Sequence, residues 1–101
     1  MSDITAPAKP KTKVRTERPP LWKVILLNDD FTPRTFVTRV LQRVFRMTES
    51  EAEAVMITAH QKGACVVAVF TREVAETSAQ IATAAGARNG YPLTFPTEKV
   101  G

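Results

Sequence analysis

Two short apolar runs constrain the fold of this chain more than any other feature of its sequence. Residues 21–27 and residues 64–70 are rich in β-branched and aromatic side chains, and both runs have the length of strands. The segments between and after these runs show helical spacing of their apolar residues instead. We therefore predict strands at both runs, with residues 64–70 forming a central strand, and helices in the remaining segments.

The segment between the two runs predicts two helices. In the first, Thr32 is the predicted N-cap and Pro33 the first residue, and the helix runs to about Arg46. Its buried face is predicted from spacing typical of one helical side: Phe36, Val37, Val40, Leu41, Val44 and Phe45. A second helix is predicted to start after Thr48, where Thr-x-x-Glu has the spacing of a capping box, and to end at Gly63.

The segment after residue 70 predicts a third helix and a last strand. Thr71 is the predicted cap of this helix, and its buried side is predicted to contain Val74, Ile81 and Ala85. Residues 91–97 then form the predicted strand. Because Pro92 and Pro96 cannot donate backbone hydrogen bonds, this strand belongs at a sheet edge.

The predicted order β-α-α-β-α-β indicates an α+β domain, in which helices cover one face of a small sheet. A chain of 101 residues that is 44% hydrophobic supports one such core, which we place at residues 20–101. Residues 1–19 contain almost no large apolar side chain, so we predict a flexible N-terminal extension.

Most of the net charge of +4 lies in this extension, which contains five Lys or Arg residues by residue 18 but no aromatic residues that could stack on bases. A solvated tail is therefore preferred over a nucleic-acid-binding segment. No apolar run approaches the roughly 20 residues that cross a bilayer, and the first residues contain no apolar signal core. We expect a cytoplasmic protein.

Three polar features could carry chemistry, and each also has a purely structural interpretation. Asn28-Asp29-Asp30 at a strand end is typical of turns, His60 near a helix end is typical of a dipole partner, and Glu73 with Glu76 is typical of a first helical turn.

Enzymatic and metal-binding alternatives have little support in the sequence. A hydrolase using Cys65 and His60 is disfavoured because Cys65 falls within an apolar strand rather than an electropositive setting. One histidine beside Asp29 and Asp30 matches no compact zinc spacing. We predict neither catalytic residues, nor a metal, nor a cofactor.

Four motifs, in their order and spacing, resemble the ClpS family of protease adaptors. They are residues 23–33 (KVILLNDDFTP), residues 56–60 with Gly63, residues 74–77 (VAET) and residues 91–93 (YPL). The resemblance covers nearly everything from residue 20 onward. It implies three antiparallel strands packed with three helices, in agreement with the element order above. It also implies a pocket for the N-terminal residue of proteins destined for degradation.

In this resemblance the free α-ammonium of a substrate is held by Asn28, Asp30 and His60, while Asp29 adds negative potential. Backbone groups near Thr32 would hold the peptide bond that follows. An ammonium has three donors and no acceptor, so a carboxylate, an amide oxygen and a neutral imidazole suit it.

The first side chain of the substrate would enter an apolar pocket, for which the resemblance implies Leu, Phe, Tyr or Trp as occupants. The implied pocket residues are Thr32, Val37, Met56, Ala59 and Leu93, with the aliphatic stem of Arg34 near the mouth. Two residues depart from the family pattern. Family members often have Met at the position of Arg34 and a larger aliphatic residue at that of Ala59.

The implied partner is the N-terminal domain of the unfoldase ClpA in the ClpAP protease. Phe31, Thr32 and Glu73 match positions implicated in that contact, whereas Ser78 stands where some members have Lys. The extension would reach toward the unfoldase during transfer of the substrate. A monomeric, non-enzymatic adaptor is therefore the predicted function. A basic nucleic-acid-binding module and a small Cys/His hydrolase are the disfavoured alternatives.

Overall fold

A computed structural model describes residues 18–101 of the protein. It contains β1 (Leu21–Leu27), α1 (Arg34–Phe45), α2 (Glu49–Lys62), β2 (Ala64–Thr71), α3 (Arg72–Arg88) and β3 (Thr97–Lys99). The predicted element order and the α+β class are confirmed. The predicted N-terminal extension lies outside the described residues, apart from residues 18 and 19.

The three strands form one antiparallel sheet in the order β2-β1-β3. The prediction of a central strand at residues 64–70 is therefore wrong, because β1 holds that position and β2 lies at an edge. Val66 and Val69 of β2 are 46% and 47% exposed. The apolar run of β2 reflects the preference of β-branched residues for strands, which does not depend on central placement.

An irregularity in the pairing of β1 with β2 determines which side chains of β2 reach the core. Val24 lies opposite Ala68 and Ile25 lies opposite Val66, so one residue of β2 has no partner there. The extra residue reverses the alternation of side chains along β2. As a result Cys65, Val67 and Phe70 all pack against the core.

Helix α1 begins one residue later than predicted. Pro33 is the N-cap rather than the first helical residue, and no side chain caps the helix. Thr32 lies one residue before the N-cap, where its hydroxyl donates to the carboxylate of Asp29. The predicted apolar face is confirmed, with Val37, Val40 and Leu41 buried and its other members packed around them.

Helix α2 has the capping box that the sequence predicts. The Thr48 hydroxyl accepts a hydrogen bond from the Glu51 N–H at 3.1 Å, and the Glu51 carboxylate accepts one from the Thr48 N–H at 2.8 Å. Gly63 ends the helix with φ of 88°, a left-handed conformation that glycine adopts without strain.

Helix α3 turns a different side to the core from the one predicted. Its buried residues are Ala75, Ala79, Ala82 and Gly86, whereas the predicted Val74 and Ile81 are 47% and 52% exposed. Ala85, the third predicted residue, is half-buried against the core. Small side chains let the helix lie close to its neighbours, and this close approach outweighs the greater hydrophobicity of Val and Ile. Thr71 is the N-cap as predicted, without a side-chain hydrogen bond.

The last strand is shorter and later than predicted, spanning Thr97–Lys99 instead of residues 91–97. Residues before it still run beside β1, since Ile25 and Leu27 donate backbone hydrogen bonds to the Pro96 and Thr94 carbonyls. Pro92 and Pro96 have no N–H with which to extend the ladder. The predicted edge position is confirmed.

Candidate functional site

The end of β1 is held beside the end of α2, which brings two polar motifs of the sequence together. Asn28 follows β1 directly, and its N–H donates to the Gly63 carbonyl at 3.0 Å. The Gly63 N–H in turn donates to the Ala59 carbonyl at 2.7 Å. His60 lies in this last turn of α2, so both motifs face the same opening.

The loop after β1 is organised by the carboxylate of Asp29. One oxygen of this carboxylate accepts hydrogen bonds from the N–H groups of Phe31 and Thr32 at 2.8 and 2.7 Å, and the other accepts from the Thr32 hydroxyl at 2.9 Å. This is the Asx-type turn that the tripeptide also predicts. The N–H of Thr32 is thereby occupied, which leaves the exposed side chains of Asn28 and Asp30 as the polar groups of the loop.

A cavity of about 250 Å³ lies between this loop, α1, α2 and the segment after α3. It is lined by all ten residues that the sequence assigned to the α-amine and side-chain subsites: Asn28, Asp29, Asp30, Thr32, Arg34, Val37, Met56, Ala59, His60 and Leu93. The inner wall is apolar, since it contains the buried side chains of Val37, Ala59 and Leu93, whereas Asn28, Asp30 and His60 are exposed at the rim. The cavity can therefore hold an apolar group whose polar end stays among oxygen and imidazole acceptors.

Four further lining residues were not identified from the sequence: Leu26, Leu27, Ile57 and Gln61. A helical signal for two of them exists, because Ile57 lies three residues before His60 and Gln61 lies four residues after Ile57. Leu26 and Leu27 are the last residues of the strand that leads into the loop.

Two contacts between α1 and α2 fix walls of this cavity. The Arg34 guanidinium donates to the Glu53 carboxylate at 2.7 Å, and the Thr38 hydroxyl lies 3.0 Å from the Met56 sulfur. Arg34 and Met56 line the cavity, but Glu53 and Thr38 do not. The positions of two lining side chains thus depend on partners outside the cavity.

Cys65 does not have the environment of a catalytic thiol. It is half-buried in the edge strand β2, less enclosed than predicted for a buried strand, and it does not line the cavity. Burial raises the pKa of the Cys65 thiol above its usual value, and the nearby Lys62 and Thr58 only partly oppose this effect. A thiol held protonated is a poor nucleophile.

Within residues 18–101, no three His, Cys, Asp or Glu side chains are grouped so that they could hold a metal ion. The same part of the chain contains no helix with the length and apolar character needed to cross a membrane.

Two of the residues predicted to contact a partner do not line the cavity. Phe31 is 80% exposed, at the tip of the loop, and Glu73 is exposed in the first turn of α3. Thr32, the third, is half-buried and lines the cavity.

Comparison with known proteins identifies the family of this chain. Residues 17–96 match the model of the family described as ATP-dependent Clp protease adaptor protein ClpS. The chain is 62% identical over 98 residues to the ATP-dependent Clp protease adapter protein ClpS 1 of Bradyrhizobium diazoefficiens, with 97% of each chain covered. The chain belongs to the ClpS family. It is also 58% identical to the ClpS 2 of Mesorhizobium japonicum, again with 97% of each chain covered.

A solved ClpS structure shares the fold. Agrobacterium tumefaciens ClpS2 bound to L-phenylalaninamide superposes with a TM-score of 0.80 at 55% sequence identity, covering 82% of this chain and all of that one. The match confirms the predicted arrangement of a three-stranded antiparallel sheet with three helices, and with it the resemblance to the ClpS family.

Proposed function

We propose that this ClpS protein is an adaptor that binds the free N-terminal residue of its substrates and delivers them to the ClpA unfoldase of the ClpAP protease. One observation carries the proposal: a single cavity combines an acceptor-rich rim with a buried apolar wall. Such a cavity suits a residue that has both a free α-amine and a large apolar side chain. Binding of peptides that differ only in their first residue tests this function.

At the rim, the α-ammonium of the substrate donates to Asn28, Asp30 and His60. An ammonium surrounded by a carboxylate, an amide oxygen and a neutral imidazole has an acceptor for each of its three donors. Asp29 contributes negative potential while its oxygens hold the loop in place. The ligand of A. tumefaciens ClpS2 supports this arrangement, because phenylalaninamide is an amino-acid amide with a free amine and an aromatic side chain.

Inside the cavity, the first side chain of the substrate packs against Val37, Met56, Ala59 and Leu93. Arg34 and Thr32 border the entrance. Leu, Phe, Tyr and Trp fill such a pocket, whereas a small side chain leaves it empty and a charged one loses its hydration.

The surface that meets the N-terminal domain of ClpA is proposed to include Phe31, Thr32 and Glu73. Phe31 supports this surface, because an aromatic ring that is 80% exposed has no partner of its own within residues 18–101. In this role the protein is a cytoplasmic monomer that catalyses no reaction, and the protease supplies the chemistry.

Replacing His60 should weaken peptide binding without unfolding the protein. His60→Ala removes one acceptor of the ammonium, and we expect the Kd for a Leu-initiated peptide to rise about tenfold or more, since a hydrogen bond to a charged group contributes roughly 1.5–3 kcal/mol. His60 is exposed, so stability should hardly change. Fluorescence anisotropy measures the Kd, and thermal unfolding measures the stability.

Cys65→Ser serves as the matched comparison, because it lies outside the cavity. Its added hydroxyl lies in a half-buried site and should lower the free energy of unfolding by about 1 kcal/mol, while the Kd stays unchanged. A folded Cys65→Ser protein that fails to bind peptide would contradict the proposed placement of the site.

Enlarging Ala59 should discriminate among first residues by size. Ala59 is 2% exposed at the cavity wall, so Ala59→Val removes room from the pocket. Overpacking costs about 1–3 kcal/mol, and we expect Trp-initiated peptides to lose about tenfold more affinity than Leu-initiated ones. Titration of both proteins with Leu, Phe, Trp and Ile peptides measures this effect.

Peptides that begin with Ile should bind poorly to both proteins, since the branch at Cβ of Ile crowds the entrance. Unchanged Trp binding would show that the side chain at position 59 does not contact the first residue of the substrate.

A further inference from the structure

A second, more polar cavity lies beside the first, and Arg34 lines both. We call it the α1–α2 groove; it measures about 610 Å³ and is lined by residues of these two helices alone. On α1 the lining residues come in adjacent pairs that recur every four positions, and they include Arg34, Arg39 and Arg43. On α2 they are Glu49 and Glu53.

The charges of the groove differ in sign from those of the acceptor rim. Arg34 and Glu53 neutralise one another in an ion pair of 2.7 Å. Arg39 and Arg43 are exposed, and no carboxylate of residues 18–101 forms an ion pair with either. The groove therefore keeps two free cationic groups against one remaining carboxylate, Glu49. The rim of the first cavity has Asp29 and Asp30 instead.

We infer that the α1–α2 groove binds the substrate chain that follows the first residue and favours acidic side chains there. The inference rests on the proposed function, because a peptide anchored by its amine in the first cavity leaves through a mouth bordered by Arg34. A positive amino terminus followed by carboxylates matches the order of charges along the two cavities.

The axial spacing of the arginines indicates which positions they meet in a peptide that lies extended along α1. Along the axis of α1, Arg39 lies about 7.5 Å and Arg43 about 13.5 Å beyond Arg34, at roughly 1.5 Å per residue. An extended peptide advances about 3.3 Å per residue, so these distances correspond to about two and four peptide residues. With the second residue at Arg34, the fourth residue meets Arg39 and the sixth meets Arg43.

Peptides that begin with Leu and contain either Glu or Lys at both the fourth and sixth positions test the inference. We expect the Glu peptide to bind the full-length protein about three- to tenfold more tightly, because each exposed ion pair contributes up to about 1 kcal/mol. Moving the two Glu residues to more distant positions should remove this advantage. Raising the salt concentration to about 0.5 M should also reduce it.

Two double variants separate the groove from the overall positive charge of the protein. Arg39→Gln/Arg43→Gln should bind the Glu and Lys peptides equally. Arg88→Gln/Lys99→Gln removes the same charge from residues that line neither cavity, and it should keep the preference for Glu. Equal affinities for the two peptides in the unmodified protein, or a preference lost equally in both variants, would overturn the inference.

Acetylated versions of the same peptides distinguish this failure from failure of the proposed function. If the free amine is required but Glu and Lys peptides bind alike, only the groove assignment is wrong. If acetylated peptides bind as well as free ones, the anchoring in the first cavity is wrong, and the groove assignment falls with it.

Discussion

Acetylation of the α-amine of a Leu-initiated peptide should raise its Kd about a hundredfold or more. The acetyl group removes the positive charge and leaves one N–H in place of three donors. Two of the acceptors Asn28, Asp30 and His60 then lose their partner when the peptide covers them. An unpaired acceptor costs about 1–3 kcal/mol, and about 2.8 kcal/mol corresponds to a hundredfold change in Kd. Fluorescence anisotropy with matched free and acetylated peptides measures the difference.

A peptide with a monomethylated α-amine provides the control for size. It keeps the charge and two of the three donors, so its Kd should lie between those of the free and acetylated peptides and closer to that of the free peptide. Equal Kd values for free and acetylated peptides would show that the acceptor rim does not bind an ammonium, and the proposed function would have to be abandoned.

The element order could be predicted because its signals are local. Strands and helices differ in the period of their apolar residues, and the boundaries of α2 are encoded by residues in contact with each other along the chain. Thr48 and Glu51 cap one end, and Gly63 ends the other. The cavity residues were assigned instead through the resemblance to the ClpS family, and most of them fall in two of its motifs, residues 23–33 and residues 56–60.

The arrangement of the strands could not be predicted in this way, because strand pairing joins segments that are distant in sequence. Nothing within residues 64–70 indicates that β3 pairs with β1 and leaves β2 at the edge. The extra residue of β2 opposite Val24 and Ile25 could not be predicted for the same reason. It is visible only once β1 and β2 are aligned, and it decides which side chains of β2 face the core.

Hydrophobicity alone does not indicate which side of α3 faces the core. Val74 and Ile81 have the largest apolar side chains of the helix, yet they are about half exposed. Close packing of helix and sheet requires small residues, and Ala and Gly contribute little to an apolar pattern. Contacts between helices were equally hidden, since the partners Arg34 and Glu53 are 19 positions apart.

Gly86 of α3 packs closely against the segment that follows the helix, and Gly86→Val should destabilise the protein more than the other substitutions considered above. A Cβ atom at Gly86 would lie 2.8 Å from the Cβ of Leu93 and 3.5 Å from the Tyr91 carbonyl oxygen. The first distance is too short for real atoms, and a Cβ cannot move aside without its backbone. We expect a loss of about 3 kcal/mol, which corresponds to a decrease in Tm of roughly 12–24 °C for a domain of this size.

Ala87→Val is the matched control for this substitution, because it places the same β-branched side chain at the next, exposed position of α3. It should cost well under 1 kcal/mol. Urea unfolding followed by circular dichroism compares the two variants. Free energies of unfolding within about 0.5 kcal/mol of each other would show that Leu93 accommodates the added side chain, contrary to the geometry.

Gly86→Ala connects this contact to the binding site, because Leu93 lines the cavity and is only 3% exposed. Alanine improves helix propensity by about 1 kcal/mol, which offsets part of the overpacking cost of about 1–3 kcal/mol, so the variant should stay folded at low temperature. Its Cβ still lies too close to the Cβ of Leu93, and we expect Leu93 to shift toward the cavity that it lines. We therefore expect binding of Trp- and Phe-initiated peptides to weaken more than binding of Leu-initiated ones. An unaltered ranking of first residues in folded Gly86→Ala would show that Leu93 moves in another direction.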